Sequence, residues 1–283
     1  GAGSNILIMT ATPIPRTLTM IAYGDLEISN LTSKLPGRIP IKTKAISSKR
    51  IEEVVEAISR AVTQGARAYW ICPLIEDNQD NELVASEERF KYLQEVFKER
   101  VGLVHGRMKA SEKDIIMNRF REGDIDILVS TTVVEVGVDV PEASIIVIEH
   151  AERFGLSQLH QLRGRVGRGE APSTCLLLYH PPLSDTARIR LQTIRDSDDG
   201  FMIAEQDLKL RGSGELLGTR QSGLPEMKIA NLAVHFDLLE LAKRDADYVL
   251  KSDPLLNSER GAALRTLLYL FERDTAVQYL NSG

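Results

Sequence analysis

The sequence predicts an α/β fold, a parallel sheet flanked by helices, followed by a mainly helical C-terminal region. Three observations predict it. Five short apolar runs recur at residues 68–72, 101–104, 125–129, 144–148 and 174–179. Each is close to continuously apolar, which is the pattern of strands covered on both faces. The segments between them are amphipathic at helical spacing, and strands alternating with helices build parallel sheets. Past residue 183 the apolar runs stop and helical periodicity takes over.

Taken in order, residues 6–9 (Ile-Leu-Ile-Met) read as a buried strand with no earlier strand to pair with, as the tail of a preceding domain would. A lone apolar edge strand is a sticky template, so it is expected to fray or to pair with a neighbouring molecule. From there to Lys49, Pro13, Pro15, Pro36 and Pro40 disfavour helix and fit an extended linker. Residues 1–45 are therefore assigned to tail and linker, 46–182 to a doubly wound lobe and 183–283 to the C-terminal region. Within the lobe, Ile51, Val54, Val55, Ile58 and Val62 recur on one face of a helix. Ser111, with Asp114 three residues on, is expected to cap the next helix. Ile115, Ile116 and Phe120 would be its buried side, and Gly123 would stop it. Beyond the lobe, helices are predicted over 184–195, 201–210, 231–250 and about 258–280. Gly212, Gly214, Gly218 and Gly223 punctuate a loop between the second and third.

Composition narrows the function. The chain has 283 residues, enough for one large domain with an appendage, and no apolar run approaches the length of a membrane helix. Its two cysteines, Cys72 and Cys175, lie inside predicted strands, which suits buried thiols in a reducing compartment and excludes a disulfide framework. The histidines show no metal-ligand spacing with them, so no structural metal is expected. The net charge of −5 argues against bulk electrostatic binding of nucleic acid but leaves room for a local basic patch.

The most specific motif is Gln-Leu-Arg-Gly-Arg-Val-Gly-Arg at 161–168. Arg165 and Arg168 are each preceded by a glycine, and between Gln161 and Gly169 there are three arginines and no acid. Two glycines on a helical surface cost about 1 kcal/mol each, so they need a reason. Close approach to a phosphate chain is one, since guanidinium groups match the equatorial oxygens of a transferring phosphoryl group. The alternative is a Gly-Arg-rich surface loop that touches RNA or nothing. A second motif, residues 130–141, follows a predicted strand directly. Loops at the carboxyl ends of parallel strands bind ligands, so Thr131 and Thr132 could hold a phosphate and Asp139 could meet a ribose or the arginines. A capped turn would look the same. Thr10 and Thr12 before Pro13, and His105 with Arg107, are weaker signals of the same kind.

Together these residues resemble superfamily 2 helicases. Thr10-Ala-Thr12 is similar to their motif III, residues 131–141 to motif V and 161–168 to motif VI, in the family's order around a RecA-like second lobe. Residues 199–223, with Arg211-Gly-Ser-Gly-Glu-Leu-Leu-Gly-Thr-Arg220-Gln221, resemble the translocation motif of the RecG-like helicases, as do residues 69–72 and 104–108. The resemblance implies an ATP-driven translocase on double-stranded DNA that remodels stalled replication forks and Holliday junctions in recombination and repair. It implies that Arg165 and Arg168 face ATP, with Arg168 as the finger, and that Gln161 senses the γ-phosphate. Gly137 and Asp139 would line the nucleotide side. Thr131, Thr132, His105 and Arg107 would contact the DNA backbone. Thr10 and Thr12 would couple two lobes, and Arg211, Arg220 and Gln221 would belong to the element that moves the duplex.

One departure stands out. The sequence has no Gly-x-x-x-x-Gly-Lys-Ser/Thr loop and no Asp-Glu-x-His or Asp-Glu-x-Gln stretch ahead of Thr10. ATP and Mg2+ would then be held chiefly by a first lobe outside this chain, as would the wedge-type DNA-binding domain, and the chain alone is expected to hydrolyse no ATP. Competing readings are a transcription-repair coupling translocase, an RNA helicase, and a non-catalytic lobe that docks on DNA or protein. The segment after residue 195 speaks against the RNA helicase, and the arginine pair against the pure docking lobe.

Overall fold

The computed structural model describes residues 7, 9–10, 29–31, 39–73, 79–131, 140–169, 171–218 and 236–271. Residues 30–210 form one compact unit, and the described residues after 210 belong to another. In the first unit six strands make one sheet: β1 (Lys42–Ser47), β2 (Arg67–Cys72), β3 (Val101–Val104), β4 (Ile127–Thr131), β5 (Ala143–Ile148) and β6 (Thr174–Tyr179). The order is β1-β6-β5-β2-β4-β3, and every pairing is parallel.

Side-chain alternation explains why these runs are apolar throughout. In β2, Tyr69 and Ile71 enter one core cluster while Ala68, Trp70 and Cys72 enter the other, so both faces are covered. Helices α1 (Ile51–Thr63) and α2 (Gln79–Phe97) cover the second cluster. Helices α3 (Ala110–Glu122), α4 (Leu156–Arg163) and α5 (Asp185–Asp196) cover the first, joined by the start of α6 (Gly200–Gly218) through Ile203 and Leu210. Handedness sets this division. The chain moves across the sheet one way from β1 to β2 to β3 and the other way from β3 to β4 and from β5 to β6. A right-handed crossover puts the helix on opposite faces for opposite directions.

Local sequence accounts for the helix ends. Ser184 accepts the Ala187 N–H at the start of α5, and Ala187, Leu191 and Ile194 form its buried stripe. Gly123 closes α3 in the left-handed conformation at φ 90°. Both thiols are buried. Burial pushes Cys175 up to about 12 and raises Cys72 as well, so neither is a reactive thiolate at neutral pH.

Several expectations are corrected. The expected linker to Lys49 overlaps β1, which pairs with β6 from Lys42 onward. Its Lys-Thr-Lys start is the polar pattern of an edge strand, and it hid the strand from an apolar criterion. Helix α3 begins at Ala110, with Lys109 rather than Ser111 at the N-cap; Glu112 takes the Lys109 N–H at 3.3 Å. Ile115 is 61% exposed, and Met117 takes the buried place assigned to it. Strand β4 starts at Ile127, and Ile125 is buried just before it. Helix α6 runs through Gly212 and Gly214, where a loop was expected; each glycine weakens a helix by about 1 kcal/mol without forbidding it. The buried strand expected at 6–9 is not found at Leu7 and Met9, which are exposed and outside any strand.

In the second unit, helix α7 (Phe236–Ser252) overlaps the third C-terminal prediction and runs two residues past it, and α8 (Glu259–Leu270) lies within the fourth. Ser258 caps α8 by accepting the Gly261 N–H, and Asp253 receives the Asn257 and Ser258 N–H groups in the turn between them. No helix among the described residues is long and apolar enough to cross a membrane.

Candidate functional site

Helix α4 carries the arginine segment. Leu156, Leu159 and Arg163 are its buried residues, which leaves Gln161 at the surface. The helix ends at Gly164, whose N–H reaches the His160 carbonyl at 3.0 Å, and the Arg165 N–H follows to Leu162 at 3.0 Å. Val166 then turns inward and is completely buried. That anchor makes Arg165 and Arg168 emerge on either side of it. Arg168 is exposed, and its Nε donates to the Gly164 carbonyl at 3.3 Å, which orients the guanidinium fork. Arg165 makes no ion pair with a described residue.

Gly167 and the following Gly169 also have a packing cause, which the motif does not suggest. Gly167 sits at φ 76°, and a Cβ there would meet Ile41 Cγ1 at 2.9 Å. A Cβ on Gly169 would meet the Pro141 carbonyl oxygen at 2.5 Å. Tight packing on the Ile41 side chain before β1 and on the Pro141 backbone before β5 therefore requires both. Gly167→Ala is expected to destabilise the fold by more than the roughly 1–2 kcal/mol of the left-handed conformation alone. Gly65, at φ 90° with open space around it, provides the control. If urea unfolding shows Gly167→Ala no worse than Gly65→Ala, the packing account fails.

Strand direction fixes where this segment lies. Ile41 and Pro141 precede β1 and β5, so the arginines stand at the amino edge of the sheet. Thr131 ends β4 and His105 follows β3, both at the carboxyl edge. Strands of this length rise about 3.3 Å per residue, so the two groups are on the order of 15–20 Å apart. Thr131 is buried beside Cys72 in the register. His105 Nδ1 is buried without a hydrogen bond among the described residues, and burial holds the ring below the usual histidine pKa. A neutral imidazole offers a phosphate hydrogen bonds rather than charge. Arg107 is exposed in the turn that follows.

Thr10 is described and exposed, whereas Thr12, Thr132, Gly137, Asp139, Arg220 and Gln221 lie outside the described residues. Arg211 falls on α6, its side chain outside what the structure describes.

A third cluster was not anticipated. β5 continues toward β6 while its neighbour β2 continues toward β3, and adjacent strands whose connections diverge leave a crevice at their carboxyl ends. A cavity of about 370 Å³ opens there, lined among others by Cys72, Arg89, Tyr92, Glu149 and His150. Glu149 accepts from the Trp70 indole and takes a two-point contact from Arg89, at 2.5 and 3.2 Å. The Arg89 guanidinium also lies 5.1 Å from the Tyr92 ring centre and 5.7 Å from that of Trp70. Beside it His150 adopts φ 47° and stacks on His180 at 6.0 Å. Glu152 is bonded to both, through the His150 ring and the His180 N–H; burial raises its pKa, but these bonds outweigh burial and hold it below the usual carboxylate range. Two signals pointed here. An indole N–H in a covered strand needs an acceptor, and Glu149 is a charge placed directly after an apolar run.

Comparison with known proteins bears on the same residues. Residues 49–170 match the model described as helicase conserved C-terminal domain. Residues 197–277 match ATP-dependent DNA helicase RecG, domain 3, C-terminal. The ATP-dependent DNA helicase RecG of Acidithiobacillus ferridurans is 50% identical over 255 residues, 90% of this chain and 37% of that protein. RecG of Escherichia coli K12 is 55% identical over 228 residues, 80% of this chain and 33% of its own length. The chain thus spans about a third of the curated relatives it matches. A solved structure of RecG bound to a three-way DNA junction aligns with a TM-score of 0.64 at 44% identity, covering 81% of this chain and 30% of that one. With a parallel helicase lobe carrying the arginine segment, and RecG-type sequence on both sides of residue 183, the chain belongs to the RecG-like family of superfamily 2 helicases.

Proposed function

We propose that this chain is the second motor lobe and translocation region of an ATP-dependent helicase that moves along double-stranded DNA and remodels branched DNA, forks and Holliday junctions among them. The observation that carries the reading is the arginine segment: Val166 is buried as an anchor between a half-buried Arg165 and an exposed Arg168, on a lobe with no phosphate loop in its sequence. Two guanidinium groups on such a surface, that of Arg168 oriented by the Gly164 carbonyl, suit a polyphosphate presented by a partner lobe. In this reading Arg168 stabilises charge on the transferring phosphoryl group, Arg165 holds the phosphate chain and Gln161 reads the γ-phosphate. Gly137 and Asp139 complete the nucleotide side.

In the proposed division the chain's part is toward ATP, with Mg2+ assigned to the first lobe. Thr131, Thr132, His105 and Arg107 are assigned to the DNA backbone, Thr10 and Thr12 to coupling between lobes, and Arg211, Arg220 and Gln221 to the moving element. The arrangement proposed is the residues before β1 as connection to the first lobe, the lobe from β1 to residue 182 and 183–283 as translocation region, with the wedge domain elsewhere in the parent protein. The RecG structure to which this chain is similar was solved on a three-way junction, which supports branched DNA as partner. Bacterial relatives support a cytoplasmic, nucleoid-associated site of action.

The test is ATP turnover on forked DNA by this chain alone and by the chain joined to a first lobe that carries a phosphate loop. The expected result is no turnover alone and DNA-stimulated turnover when joined. Sustained turnover by the purified chain alone, or none by the joined protein on any DNA, would contradict the reading.

A further inference from the structure

Arg163 is the first arginine of the segment and the one that the proposed chemistry leaves without a task. It is the last residue of α4 and only 4% exposed. Arginine is rarely buried without matched acceptors, because an unpaired charge in the interior is costly. Here the acceptors are backbone carbonyls at the far end of another helix. Nη1 donates to the Ile194 carbonyl at 2.6 Å and to the Ser197 carbonyl at 2.7 Å. Nη2 meets His160 Nδ1 at 3.1 Å, one turn back on its own helix.

Ile194 lies in the last turn of α5, and Ser197 is the first residue past it. The last carbonyls of a helix have no partner within it and carry the negative end of its dipole, so a cation there is favourable on both counts. Helix α5 has a basic residue of its own in that turn, Arg195, but that one is exposed and paired with Asp196 at 2.7 Å. The cap comes instead from α4. Immediately after it the chain turns. Asp199 takes the Phe201 and Met202 N–H groups at 2.9 and 3.4 Å and so starts α6. Asp199 in turn donates its N–H to the Ser197 hydroxyl at 3.1 Å. One hydrogen-bonded path therefore runs from Arg163 through Ser197 and Asp199 to the first turn of α6. In the other direction Arg163 is bonded covalently to Gly164, which directly precedes Arg165.

We propose that Arg163 is a positioning residue that ties the arginine segment to the elbow between α5 and α6, so that a displacement of Arg165 and Arg168 is transmitted to α6. The proposal rests on the functional reading above for what is transmitted, but not for the tie itself. Arg163's fork matters because Nη1 takes both carbonyls while Nη2 is held at His160, and an ammonium group at the same place would hold them less rigidly. Burial lowers the guanidinium's pKa from the ordinary arginine value, yet arginine keeps its charge in proteins, so the grip is charge-assisted at any working pH.

The test uses Arg163→Gln and Arg163→Lys with two readouts. The first is amide hydrogen exchange in this chain. The expected result for Arg163→Gln is about tenfold or more faster exchange at the elbow amides, the scale of losing one charge-assisted hydrogen bond, with β2 and β4 amides unchanged. Arg163→Lys should fall between. The second is the number of ATP molecules hydrolysed per junction unwound by the two-lobed protein. Turnover should stay within about twofold while ATP per junction rises about tenfold, again with Lys between. Unchanged exchange at the elbow overturns the proposal. So does an unchanged ATP-to-junction ratio in a parent protein that unwinds, because a simple helix cap would lower turnover and unwinding together. If Arg163→Gln loses protection throughout the sheet, Arg163→Lys decides by the same two readings. A parent protein that turns over ATP and unwinds nothing would fail the functional reading, while the exchange result would still decide the tie.

Discussion

Arg168→Ala is expected to lower DNA-stimulated ATP turnover of the two-lobed protein by about 10³–10⁵-fold while nucleotide binding survives. The magnitude is that of removing a guanidinium from a transferring phosphoryl group. The geometry selects Arg168 within the segment: it is exposed, and its Nε is held by the Gly164 carbonyl, so the fork is aimed before any ligand arrives. Preorganised charge stabilises the transition state without reorganising during reaction, which is why a loss in turnover should exceed any loss in affinity. Arg168→Lys keeps a charge without the planar fork and should recover little of the rate. Steady-state turnover and nucleotide affinity measured on the same preparations separate the two effects. Turnover unchanged in Arg168→Ala would make residues 161–168 a structural loop and remove the finger from the functional reading.

The largest expected effect on stability is at Glu149. Glu149→Ala should lower unfolding free energy by about 3 kcal/mol, since it leaves the Arg89 charge and the Trp70 N–H without their acceptor. The two charged side chains are 22% and 13% exposed, which places the effect toward the lower part of the range for broken buried pairs. Removing both charges is a different matter. Arg89→Met with Glu149→Leu, which fills the crevice with apolar volume, should be close to neutral. Urea unfolding of the single and double variants checks the pair. A loss of only about 0.5 kcal/mol for Glu149→Ala, as at an ordinary surface position, would show that the contact contributes little.

The lobe was legible because its strands are covered on both faces. A run such as 144–148 cannot be written without apolar residues at nearly every position, and that signal is independent of distant contacts. The edge strand β1 was not legible for the converse reason: one flank lies open, so Lys42 and Lys44 are compatible with it. Ser111 was a sound N-cap by local chemistry, but tertiary packing of Met117 and Phe120 set the phase of α3 and moved its start. Helix α6 shows the limit of glycine as punctuation, since Gly212 and Gly214 fall within its span. In the site, the arginine segment announced itself by spacing. Arg163 and the Arg89–Glu149 pair did not, because their partners lie 31 and 60 residues away in sequence. Only the fold supplies that proximity. The motif also hid a second cause for Gly167, since close packing and close approach to a phosphate leave the same letters.

The position of β1 also has a consequence for the order in which the lobe can be made. Lys42 pairs with Thr174, 132 residues later, and β6 is the only described strand that β1 touches. A ribosome adding 5–20 residues per second needs roughly 7–25 s to synthesise that interval. Throughout it the first strand of the sheet to emerge has no template, while β2 to β5 can assemble among themselves. A polar Lys-Thr-Lys strand can wait in water without attracting other chains, whereas an apolar one would not. Until it docks, the apolar β6 is an open edge, so the closing step is also the one at which the nascent protein is most exposed to misassociation.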